Sequence, residues 1–173
     1  HAQHLDRFIS IHRSHAEEGY VPTYYDVMMM SNASRNSGAM ALHYGAFCPT
    51  ILSQMDGDQQ AEWLWPAMTM QIIGCLGQTE LGHGSNVRAL QTTATYDRAT
   101  QEFVRNSPTL GSLKWWPGGL GKTATHCALY AQLILDGEEL GFHTFMLQLR
   151  DENHRPLPGI ELGEVGPKVG DNC

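Results

Sequence analysis

The sequence predicts an α+β protein, with a helical part over residues 1–71 and a β-rich part over residues 72–173. Three observations carry this. Apolar residues in the first third recur at i, i+3, i+4 and i+7, the period of a helix with one buried face. Beyond Ile72 they fall instead into short alternating or β-branched runs. Gly, Pro, Asn and Asp punctuate those runs at turn-like intervals. With 42% hydrophobic and 17% charged residues, the 173-residue chain has the composition of a folded domain rather than a disordered tract.

Leu5, Phe8, Ile9 and His12 outline a first helix, stopped by Gly19 and Pro22. Met40, Tyr44, Phe47 and Ile51 outline a second, which Pro49 should kink or restart. Asp56 and Gln59 form a capping-box pair ahead of Ala61, Leu64 and Met68, and Pro66 predicts a break or bend nearby. The β part opens with the apolar run from Ile72. Thr-rich residues from Leu90 to Asp97 predict a strand, 97–101 a turn, and Glu102 to Asn106 the returning strand. Leu113 to Trp116, the alternating residues from Gly141 and Ile160 to Val165 predict further strands. Ala124 to Leu135 fits both periods, and periodicity does not choose between them.

Net charge is −7, and no Lys/Arg-rich run provides the clustered cations that phosphate backbones require, so nucleic acid is not an expected partner. No apolar run reaches the roughly 18 residues of a membrane span. Cys48, Cys75, Cys127 and Cys173 are widely spaced and read as reduced, mostly buried thiols. The chain starts at His1, and neither end carries a targeting pattern, which suggests an internal segment of a longer protein.

Two stretches carry candidate chemistry. Ile72 to Ser85 reads IIGCLGQTELGHGS: a strand that delivers Gln78, Thr79 and Glu80 at its end, then a loop with Gly82 and Gly84 where a ligand could approach the backbone. Lys114 to Gly119 reads KWWPGG and offers an aromatic ring to a planar ligand, since adjacent Trp residues on a strand face opposite ways. Each has an ordinary reading too: strand-end polar groups satisfy backbone, and Trp residues fill cores. Gly118 to Thr123, GGLGKT, imitates a phosphate loop, but the leading Gly of that pattern is replaced by Trp116 and a βαβ setting is lacking. His12, His15 and Glu17 lack the spacing of a metal site, and no metal is expected. Asn32-Ala33-Ser34 is a formal glycosylation sequon without a secretory context.

Taken together, GCLGQTELGHGSNVRALQTTATYD (74–97), EFVRNSP (102–108), KWWPGGLGKTATH (114–126) and PLPGIELGEVGPKVG (156–170) resemble the peroxisomal acyl-CoA oxidase family, with LHYGAFCPTIL (42–52) similar to its helical segment. The resemblance covers most of the chain from about Ala39 and rests on no single motif. It implies the acyl-CoA dehydrogenase fold, with residues 1–71 ending an N-terminal helical domain and 72–173 forming a truncated, antiparallel β-barrel-like middle domain. The family's C-terminal helical bundle is expected to lie outside this chain. The resemblance also implies that Ala124 to Leu135 is a strand.

What the resemblance implies for function is a flavoprotein oxidoreductase. FAD is the cofactor, fatty acyl-CoA the substrate and dioxygen the acceptor. The products are trans-2-enoyl-CoA and hydrogen peroxide, in the first step of peroxisomal β-oxidation. Thr79 matches the family threonine at the flavin's pyrimidine edge, and Gln78 lines the same edge. Trp116 matches a residue packed near the isoalloxazine, and Gly118 the flavin-binding glycine. Related dehydrogenases place a Thr at the Gly118 position, and removing that side chain beside the flavin makes room for dioxygen, which favours oxidase over a dehydrogenase served by an electron-transfer protein. His83, Gly84 and Ser85 are expected to border the acyl-CoA channel. The family's catalytic Glu is expected beyond Cys173, so no carboxylate here inherits that role, and the segment alone should be inactive. The full-length protein is expected to be a homodimer. Rival readings are a P-loop nucleotide-binding protein and a non-catalytic relative that keeps the β scaffold as an interaction module.

Overall fold

A computed structural model describes residues 40–167 continuously, together with Ser10, Ser14, 17–19, Thr23, Tyr25, Asp26 and Met29. The expected first helix, His12, His15 and the sequon lie outside the described residues. The chain divides into two compact units interleaved in sequence. One comprises 1–75, 118–126 and 148–173; the other comprises 76–117 and 127–147.

In the first unit a π-helical turn, His43–Phe47, runs into α1 (Cys48–Gln54). Pro49 sits in the first turn of α1, where its missing N–H is harmless, so it opens a helix rather than breaking one. α2 (Gly57–Met68) begins at the expected capping box: Asp56 accepts from the Gln59 N–H at 2.9 Å, and the Gln59 side chain accepts from the Asp56 N–H at 3.2 Å. The helix ends two residues after Pro66, whose carbonyl then accepts the N–H groups of Gln71 and Ile72.

Tyr44, Phe47, Cys48 and Ile51 are buried, as helical spacing requires. Gly74 is needed against them, because a Cβ there would lie 2.1 Å from the Phe47 ring. His43 fastens this core. Its Nε2 donates to the Ala67 carbonyl at 2.9 Å while Nδ1 accepts from the Gly74 N–H at 2.9 Å, an arrangement that requires the neutral ring.

The strands are β1 (Gly74–Gly77), β2 (Thr93–Asp97), β3 (Glu102–Asn106), β4 (His126–Leu135) and β5 (Glu138–Gln148). Among the described residues the sheet order is β1-β4-β2-β3, with β5 paired to β4. β2 and β3 are antiparallel in the register Thr93↔Asn106 to Asp97↔Glu102, joined by the expected turn. β2 and β4 are parallel. The sheet is therefore mixed and open, where the resemblance led us to expect an antiparallel, barrel-like one. Of Ala124 to Leu135, all but the first two residues form strand β4, as the resemblance implied.

Two expected strands are not formed. Leu113 to Trp116 contributes a single bridge, Lys114 to Glu80, because the left-handed backbone of Trp116 (φ 75°) cannot continue an extended chain. Ile160 to Val165 is irregular: the Ile160 N–H turns back to the Leu157 carbonyl at 3.0 Å. The strand expected from Ile72 begins at Gly74.

Candidate flavin-contact strand end

Gln78, Thr79 and Glu80 follow β1 directly and lie in the second unit. Facing them is 111–115. The Trp115 N–H donates to the Thr79 carbonyl at 2.9 Å, Leu81 N–H to the Leu113 carbonyl at 2.9 Å, and Gly82 N–H to the Gly111 carbonyl at 2.9 Å. The two stretches singled out in the sequence are thus brought side by side as far as Trp116. Thr79 and Gln78 are half-buried. Among the described residues, neither their hydroxyl nor their side-chain amide takes a protein hydrogen bond.

Glu80 behaves differently. Its side chain is fully buried; Oε2 accepts from the Gln91 N–H at 2.8 Å, and Oε1 from the Thr92 N–H at 2.8 Å and the Lys114 ammonium at 3.0 Å. Lys114 also donates to the carbonyls of Gln78 at 3.2 Å and Tyr130 at 2.7 Å, so its three N–H groups have three acceptors. Burial pushes the Glu80 carboxyl up, but the hydrogen bonds from Gln91, Thr92 and Lys114 outweigh it and hold the group below the usual carboxylate range. Burial draws the Lys114 ammonium down, with Glu80 opposing. This network was missed in the sequence. Its signal was a carboxylate at the end of an apolar strand and a lysine opening the aromatic KWWPGG stretch, two opposite charges in otherwise weakly charged segments.

Trp116 is 69% exposed, while Trp115 is half-buried. A non-glycine residue held at positive φ stores strain of the order of 1–2 kcal/mol, a feature that clusters at binding sites. His83 is half-buried in a tight turn, its N–H to the Glu80 carbonyl at 3.1 Å and its carbonyl accepting the Glu80 N–H at 3.0 Å. Gly84 and Ser85 are exposed, and Gly84 faces open space. Gly82 serves a different purpose from the ligand approach expected of it: a Cβ there would lie 3.2 Å from the Gly111 carbonyl, so it allows one backbone to pass close to another.

Gly118 lies in the first unit. A Cβ there would point at Leu42, 2.7 Å from Cδ1, so the side-chain space is filled by Leu42. The following turn cannot serve as a phosphate loop. The N–H groups of Lys122, Thr123 and Ala124 all converge on the Gly119 carbonyl, at 3.2, 2.8 and 2.8 Å, so the N–H groups of the Lys-Thr pair are turned inward rather than toward an anion. Lys122 pairs with Glu164 at 3.1 Å, and a strand rather than a helix follows. The buried Arg150 guanidinium clamps this turn through the carbonyls of Leu120, Gly121 and Ala124 at 3.1, 3.0 and 2.8 Å. Among the described residues no His, Cys, Asp and Glu cluster could hold a metal ion, and no helix is long and apolar enough to cross a membrane.

The donor set fits a flavin. A hydroxyl and a primary amide, both without protein partners among the described residues, can match the alternating acceptors and donors of a pyrimidine edge. Similarity to known proteins points the same way. Residues 1–73 match the acyl-coenzyme A oxidase N-terminal family. The chain is similar to rat peroxisomal acyl-coenzyme A oxidase 1, 53% identical over 132 residues that make up 76% of this chain and 20% of that protein. It is similar to Drosophila acyl-coenzyme A oxidase 1, 49% identical over 162 residues, 91% of this chain and 24% of that protein. Among solved structures, Caenorhabditis elegans acyl-CoA oxidase-2 bound with FAD, ascaroside-CoA and ATP superimposes with a TM-score of 0.86 at 43% identity, covering 95% of this chain and 25% of that one. Arabidopsis acyl-CoA oxidase 1 gives 0.74 at 55% identity, covering 76% and 20%. The chain thus spans about a fifth to a quarter of the length of the relatives it matches. With that identity along most of its sequence and the fold to match, the chain belongs to the acyl-CoA oxidase family.

Proposed function

We propose that the intact protein is a peroxisomal, FAD-dependent acyl-CoA oxidase that converts acyl-CoA to trans-2-enoyl-CoA and passes the electrons to dioxygen. The observation that carries this reading is the identity to named acyl-CoA oxidases along most of the chain. Bound FAD supplies the hydride acceptor and the reaction with dioxygen, neither of which a side chain can provide. The residues here bind and orient. Thr79 and Gln78 offer their side chains to the pyrimidine edge, supported by their lack of other side-chain partners among the described residues. Trp116 presents an exposed ring to the flavin from a strained backbone. His83, Gly84 and Ser85 border the acyl-CoA path on the exposed side of the same loop.

Gly118 is a further flavin contact, with its backbone exposed and no side chain to obstruct. Because Leu42 occupies the space a side chain would take, access for dioxygen depends on Leu42 as well as on Gly118. Glu80 is not the base, since both its oxygens are committed to Gln91, Thr92 and Lys114. The division into a helical part, 1–71, and a β part, 72–173, is retained as a proposal, supported by the family match over 1–73. So is a homodimer of the intact protein.

Purified intact protein should release one hydrogen peroxide per enoyl-CoA formed from a long-chain acyl-CoA in air. Turnover only with an added electron-transfer protein would overturn the oxidase reading in favour of a dehydrogenase. Thr79→Val should weaken flavin binding by roughly tenfold, the worth of one hydrogen bond to a polar cofactor edge, as measured by titration of the apoprotein with FAD.

A further inference from the structure

We propose that the buried Lys114–Glu80 pair is a positioning device for the flavin, setting the strand end that presents Gln78 and Thr79. The inference rests on the reading of that strand end as the flavin contact. Nothing in the site's own chemistry requires a buried ion pair there, and burying two charges costs more than an apolar pair unless every lone pair and proton finds a partner.

Here all three Lys114 protons are taken, and both Glu80 oxygens accept, three donors between them. Lys114 spends its three protons on the Gln78 carbonyl, the Glu80 carboxylate and the Tyr130 carbonyl of β4. Glu80 collects the Gln91 and Thr92 N–H groups at the entry to β2. Thr92 in turn donates its hydroxyl to the Ser112 carbonyl at 3.1 Å, two residues before Lys114. One pair of side chains therefore holds three separate stretches of backbone, at Gln78, at Gln91–Thr92 and at Tyr130, and Thr92 ties in a fourth at Ser112.

The geometry of the grip is specific. Lys114 holds the carbonyl of Gln78 and the side chain of Glu80, the two residues flanking Thr79, while the Thr79 carbonyl is held by the Trp115 N–H. Thr79 is left with its backbone clamped on both sides and its hydroxyl uncommitted among the described residues. Side chains alternate along extended chain, so fixing Glu80 inward directs Thr79 to the other face. A binding group held in this way by a supporting layer loses affinity when that layer is loosened, even though the layer touches no ligand.

The test uses the intact protein with Lys114→Met, and with Thr79→Val as the gauge of the underlying reading. Apoprotein is titrated with FAD, and the position and fine structure of the visible flavin band are recorded for the folded, flavin-bound fraction. Lys114→Met is expected to weaken FAD binding by roughly 10–100-fold and to shift the flavin band, since hydrogen bonds at the pyrimidine edge tune it. A Lys114→Met protein that melts earlier, yet binds FAD in its folded state as tightly as wild type with an unmoved band, would show a purely structural pair and overturn the proposal. If Thr79→Val leaves affinity and band unchanged, the strand end is not the flavin contact and both readings fall together; if only Thr79→Val has an effect, the positioning inference alone falls. Should Lys114→Met not accumulate as folded protein, Glu80→Gln decides on the same criteria, because it keeps the side-chain volume while removing the charge that holds Lys114.

Discussion

At the scale of single residues, function and stability are set by which polar atoms are already committed. Thr79 and Glu80 are neighbours with opposite fates: one hydroxyl has no protein partner among the described residues, while one carboxylate takes three donors. His126 illustrates the consequence for pH. Burial lowers its pKa from the usual histidine value, with Nδ1 3.0 Å from the Thr125 hydroxyl and the Trp63 ring 5.6 Å away. The folded state thus binds a proton less readily than the unfolded chain. The stability tied to neutral His126 is fully present above the unfolded pKa of about 6.5 and is lost as pH falls below it. The melting temperature of the intact protein should fall between pH 7 and pH 5, and His126→Gln should flatten that slope. Gly118 gives a second prediction. Gly118→Ala should destabilise by about 1–3 kcal/mol through overpacking against Leu42, and Leu42→Ala in the same chain should relieve most of that cost, read as a double-mutant cycle in thermal unfolding.

At the scale of elements, local signals were legible wherever the chain satisfies itself. The α2 capping box needs only Asp56 and Gln59, and β2–turn–β3 needs only alternation with a turn between. Ala124 to Leu135 was ambiguous because its apolar residues satisfy both periods, yet a decisive local signal follows it. Asp136 and Gly137 both adopt positive φ, 53° and 81°, forming the two-residue turn that links β4 to β5. That Asp-Gly pair, after the apolar run that ends at Leu135 and ahead of the alternating residues from Gly141, identifies a hairpin without any family resemblance. Gly137 has no neighbour within 4 Å of a Cβ position, so Gly137→Ala should cost about 1–2 kcal/mol from backbone strain alone. Asp136→Asn should be nearly neutral for the turn itself, because Asn tolerates the same conformation. Thermal unfolding of the two variants side by side checks the contrast. The expected strands at Leu113 to Trp116 and Ile160 to Val165 failed on backbone features that alternation does not reveal: Trp116 turns into the left-handed region after a single bridge, and the Ile160 N–H turns back to Leu157.

At the scale of the whole molecule, each compact unit is assembled from stretches far apart in sequence, and buried polar side chains join them. In the first unit, Arg150 reaches across to three carbonyls of the 120–124 turn, and His43 ties the π-helical turn to Ala67 and Gly74. Arg150→Met would leave those carbonyls without donors and should destabilise by about 3 kcal/mol or more. Amide exchange at Thr123 and Ala124 should accelerate in that variant, because their hydrogen bonds belong to the turn Arg150 clamps. Arg150→Lys should recover little, since a single ammonium cannot reproduce the fork that serves Leu120, Ala124 and Gly121 together.

The sequence by itself determined the family, the α-then-β order and the α2 cap, and it is the source of the proposal that Gln78, Thr79, Trp116 and Gly118 contact the flavin. These are properties of residue type and local spacing, which the linear chain carries in full. Only the tertiary structure decided which polar groups are spent and which remain available. It shows Glu80 consumed by Lys114, Gly82 given over to a backbone crossing, Leu42 filling the space beside Gly118, and the P-loop-like turn closed on its own carbonyl. The reason is physical: a hydrogen bond or a steric contact is made by partners whose separation in sequence, 34 residues for Lys114 and Glu80, says nothing of their separation in space.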